Sequence, residues 1–137
     1  MGAGGPAAAA GTDGAASAAC GTFEAILTVL YQHAEGAGDM TACFITAATL
    51  AADGRDALIT APALAHASPP PVSLPPLPAG ASLEDIADAL ARHAHQLAVD
   101  LRGAAVHAAS RPDRDALGTA AQSAQALSCC LAGTGEC

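Results

Sequence analysis

The chain has 137 residues, enough for one domain with a core, and a net charge of −8. Apolar residues make up 52% of it but aromatics only 2%, so alanine dominates any core and each buried side chain removes little area from water. The acidity excludes the basic footprint of nucleic-acid binding and disfavours anionic membrane surfaces.

All five basic residues are Arg, and Lys and Asn are absent, a bias that points to a high-GC bacterial genome. The same bias inflates Ala, Gly and Pro, so their abundance says little about design. Residues 1–19 are Gly and Ala with little else. They lack periodic large apolar residues and are expected to be disordered. They also lack the basic start and leucine-type core of a signal peptide, and no uncharged apolar run is long enough to span a membrane. A cytoplasmic location is expected.

The folded domain is expected over residues 20–132. Phe23, Ile26, Leu27, Leu30 and Ala34 recur at steps of three and four, which predicts an amphipathic helix over 22–35. Gly36 and Gly38 end it. Asp39 is a candidate N-cap for a second helix over 39–53. Between its ends that helix carries no charge, so burial on most sides is expected. Asp53-Gly54 reads as its stop, and the short link predicts an antiparallel hairpin. Residues 55–67 are ambiguous. Residues 68–80 hold most of the prolines and cannot be helical, which predicts an extended connector.

The longest unbroken pattern follows. Leu83, Ala87, Leu90, Ala94, Leu97, Leu101, Ala104 and Ala108 alternate steps of four and three, predicting a central helix over 82–109. Ser82 and Asp85 form a variant capping box. Val99 and Val106 lie opposite the main stripe and mark a second contact face. Ser110 caps a last helix over 111–132, with Pro112 in its first turn and Leu117, Ala120, Ala124, Leu127 and Leu131 on its seam. Residues 133–137 are expected to fray. The predicted fold is all-α: a small antiparallel bundle of about four helices, two hairpins joined by the Pro-rich crossover.

The chemistry is sparse. The five cysteines include no C-x-x-C, and free thiols fit best. Cys129 and Cys130 are adjacent and diverge by about 100° on a helix, which opposes joint metal binding, and Cys137 lies in the tail. His93, Asp100 and His107 stand seven apart, about 10 Å per step along a helix, too far to share one ion. No Glu-x-x-His pair supports a di-iron bundle. The spacing of Arg102 and His107, found in some helical ribonucleases, puts the two on different sides of the helix. No metal or cofactor is expected. The favoured reading is a non-enzymatic interaction or accessory protein, self-associating as a homodimer or bound to another protein. Its rival is a small helical enzyme or ligand binder using His33, His93 or His107 in the bundle interior. A further alternative takes residues 128–137, rich in Ser, Thr and Cys, as the core of a modified peptide. The dimer expectation rests on the uncharged second helix, on Val99 and Val106, and on the thin Ala-rich core.

Overall fold

The computed structural model describes residues 4–60, 74, 80–108 and 110–133. Among the described residues it contains four α-helices: α1 (Gly4–Ala34), α2 (Thr41–Ile59), α3 (Leu83–His107) and α4 (Arg111–Ala132). No strand occurs among the described residues. The all-α bundle predicted from the sequence is the observed architecture. Each helix packs on two neighbours: α1 on α2 and α3, α4 on α2 and α3. Every one of these four seams is antiparallel. α2 and α3 therefore run parallel on one diagonal, so the two hairpins are connected from one end of the bundle to the other. The Pro-rich connector expected over 68–80 lies outside the described residues apart from Leu74, which is half-buried against the core, and Gly80.

The periodic residues face inward as their spacing requires. Phe23, Ile26, Leu27 and Leu30 of α1, Leu90, Leu97 and Leu101 of α3, and Leu117, Leu127 and Leu131 of α4 are buried. Alanines fill the positions between them, which lets the helix axes approach closely.

The ends of α3 and α4 form as their sequence signals predict. Ser82 Oγ accepts from the Asp85 amide at 3.1 Å and the Asp85 carboxylate accepts from the Ser82 amide at 3.2 Å, closing the capping box. Ser110 Oγ accepts from the Asp113 amide at 3.2 Å. Gly133, at φ +72°, ends α4 with its amide on the Cys129 and Cys130 carbonyls.

The first hairpin differs from expectation at three points. α1 begins at Gly4, not at residue 22, so the residues expected to be disordered include more than four further turns of helix. Ala16, Ala19 and Cys20 there are buried. Alanine is the best helix former, and its small side chain lets the early part of α1 lie against α3 although no large apolar residue marks the contact. Asp39 does not cap α2. It lies in a single 3₁₀ turn, Gly38–Met40, and Met40 takes the N-cap position without a side-chain bond. Thr41 instead spans the corner, its hydroxyl donating to the Ala34 carbonyl at 3.2 Å.

The third difference is Gly54, which does not stop α2. The helix continues through it to Ile59. A Cβ at Gly54 would stand 2.6 Å from Phe23 Cε1, so the missing side chain is the space the Phe23 ring occupies. Nor is α2 buried on most sides: Ala42, Ile45, Thr46 and Thr49 form an exposed face, because among the described residues its main neighbours are α1 and α4.

Candidate functional site

The three histidines singled out from the sequence are not brought together. His33 lies in the last turn of α1 and His107 in the last turn of α3. The antiparallel arrangement puts those turns at opposite ends of the bundle. His93 stands between them, about 21 Å along the α3 axis from His107. His33 and His93 are half-buried, and His107 is exposed. Among the described residues, no group of three or more His, Cys, Asp or Glu side chains is placed to hold a metal ion.

Among the described residues, grooves open between helices. One, of about 500 Å³, lies between α3 and the end of α4 and is lined by Asp88, Ala91, Arg92, His95, Gln96 and Ser128. Ser128 is buried there and donates from its hydroxyl to the Ala91 carbonyl at 2.9 Å, tying α4 to α3. Another, of about 250 Å³, lies between α1 and α3, with Thr22 and Asp100 among its walls. Asp88, His95 and Ser128 share the first groove, where the Ser128 hydroxyl donates to the Ala91 carbonyl and not to the imidazole.

The densest chemistry is a thiol pair the sequence does not announce. Cys43, near the start of α2, and Cys130, near the end of α4, meet across the α2–α4 seam with their Sγ atoms 3.9 Å apart. Each sulfur also reaches the other residue's backbone carbonyl: Cys43 Sγ donates to Cys130 O at 3.4 Å, and Cys130 Sγ to Cys43 O at 3.7 Å. Both residues are half-buried and reduced. The Cys130 thiol is pushed up to about 11, first by burial, then by the charge of Cys43 and their mutual hydrogen bond. The two lie 87 residues apart, so no local motif could have joined them. The only sequence signal is that each sits beside the inward stripe of its helix.

The remaining cysteines divide. Cys20 is buried and free, its thiol pushed up by burial and by the nearby Glu24. The expectation of free thiols fails for Cys129, which is disulfide-bonded. An odd number of cysteines does not prevent one pair from closing. Cys129 also accepts a bond from the Gln125 side-chain amide at 3.6 Å.

On the outside of the bundle, α3 carries a continuous exposed stripe: Asp85, Asp88, Arg92, His95, Val99, Arg102 and Val106. Val99 is 46% exposed and Val106 77%. Gly103 lies beside them, and a Cβ there would meet nothing within 4 Å. No helix among the described residues is long and apolar enough to cross a membrane. No protein-family model matches the chain, and neither a curated protein nor a solved structure shows significant similarity to it.

Proposed function

We propose that this chain is a non-enzymatic interaction protein that works as a homodimer, pairing through the outer stripe of α3. The observation that carries the reading is the exposure of Val99 and Val106 on a stripe that also holds Asp88 and Arg102, seven residues to either side of His95. A second copy laid antiparallel about His95 sets Asp88 of each helix against Arg102 of the other. That arrangement is two-fold and closed, the commonest symmetry of homo-oligomers. The bare surface at Gly103 admits the facing helix closely, and the valines gain cover.

Sedimentation equilibrium at micromolar concentration tests the proposal. A mass near twice 13.2 kDa is expected. The double variant Val99→Asp, Val106→Asp is expected to sediment as a monomer with its helical circular dichroism unchanged. A wild-type mass of 13.2 kDa across the concentration range refutes the dimer.

A further inference from the structure

We propose that Cys43 and Cys130 form a reversible dithiol–disulfide couple that bridges α2 and α4 and exchanges electrons with a low-molecular-weight disulfide. The sulfurs stand 3.9 Å apart, and a disulfide needs about 2.05 Å. The remaining approach is within reach of side-chain rotation. The reciprocal contacts of each sulfur with the opposite carbonyl show that the two backbones already lie close enough to be spanned. Half-burial matters as much as distance. A fully buried pair would be shielded from any oxidant, and a fully exposed one would not be held in register. Cys20, at 1% exposure, is shielded from such an oxidant.

The chemistry divides between the two sulfurs. Burial, and then the neighbouring Cys43, raise the proton affinity of Cys130, which suits Cys130 to the second, resolving attack and gives the first to Cys43. The Cys43 thiolate attacks one sulfur of the small disulfide. Its S–S bond breaks, a mixed disulfide forms on Cys43, and one small thiolate leaves. Cys130 then loses its proton and attacks Cys43 Sγ, expelling the second small thiolate. Two protein thiols are oxidised by two electrons in all. The small disulfide is reduced by the same two, and the two protons end on the released thiols.

The test uses the full-length protein and oxidised glutathione as the probe, followed by alkylation of remaining thiols and peptide mapping without reduction. The expected product is a single covalent chain lighter by two hydrogens, with its own Cys43 and Cys130 peptides joined. Because the bond closes a separation of 87 residues, its melting temperature is expected to rise by roughly 10 °C and to return on mild reduction. Cys43→Ser and Cys130→Ser should each melt like the reduced wild type and show no rise, whereas Cys20→Ser should still show it. Full alkylation of both cysteines after oxidation, a glutathione adduct left unresolved on Cys43, or a link between chains overturns the proposal.

Discussion

The two hairpins of this bundle are held by different means. The α1–α2 hairpin contains most of the large, fully buried side chains: Phe23, Phe44, Ile26, Leu30 and Leu58. Its corner carries no side-chain N-cap. The α3–α4 hairpin buries Ile86, Leu90, Leu97, Leu101, Leu117, Leu127 and Leu131 but no aromatic ring. It is bounded by a capping box, a serine cap and a left-handed glycine. One hairpin holds both buried rings and has an uncapped corner, and the other is built on aliphatic side chains between capped ends. In a chain so poor in aromatics, losing a buried ring from the first hairpin should far exceed losing a cap from the second.

Phe23→Ala is the strongest test of that contrast. Removing a fully buried ring that fills the hollow beside Gly54 is expected to cost about 3–5 kcal/mol in urea denaturation. The same variant predicts a coupling. Gly54→Ala should destabilise the wild-type chain, where the new Cβ meets the ring, and be tolerated once the ring is gone. Additive effects would show that the ring and the glycine do not share that space.

A smaller effect belongs to the seam between the hairpins. In the unfolded chain the Cys130 thiol ionises near its ordinary value of 9.0, and in the folded chain only near 11. Between those values the unfolded state binds fewer protons than the folded one. Stability is therefore full below about pH 9 and falls as pH rises toward 11. Denaturation midpoints measured under reducing conditions across that window should decline. Cys130→Ser should flatten the decline, leaving the part due to Cys20, whose thiol is also raised by burial. A slope unchanged by Cys130→Ser would contradict the assignment.

The smallest expected change is in the second hairpin. Ser82→Ala removes one capping bond at an exposed helix start and should cost about 1 kcal/mol. A loss as large as that of Phe23→Ala would erase the distinction between the hairpins.

The same difference decides what could be read from the sequence. α3 and α4 alternate Leu and Ala with charge, and their ends carry Ser, Asp, Pro and Gly in the positions that caps require, so their bounds are legible to within two residues. α1 and α2 lack that contrast. Ala, Gly and Thr occupy both faces, so neither the early start of α1 nor the passage of α2 through Gly54 leaves a periodic mark. Gly54 reads as a breaker because its reason, the Phe23 ring, lies on another helix. The site is legible only in part. The spacing along one helix separates His93 from His107, and the sequence places Val99 and Val106 opposite the seam of α3. Pairing Cys43 with Cys130 needs the α2–α4 docking, which no stretch of sequence contains.

That docking also bears on the entropy of folding. The contacts of α1 with α2, and of α3 with α4, turn on short links and close at little entropic cost. The α2–α4 seam joins residues 87 apart. Closing a contact across so long a stretch of chain costs more conformational entropy than closing the turn within either hairpin, and Cys43 and Cys130 mark one such contact.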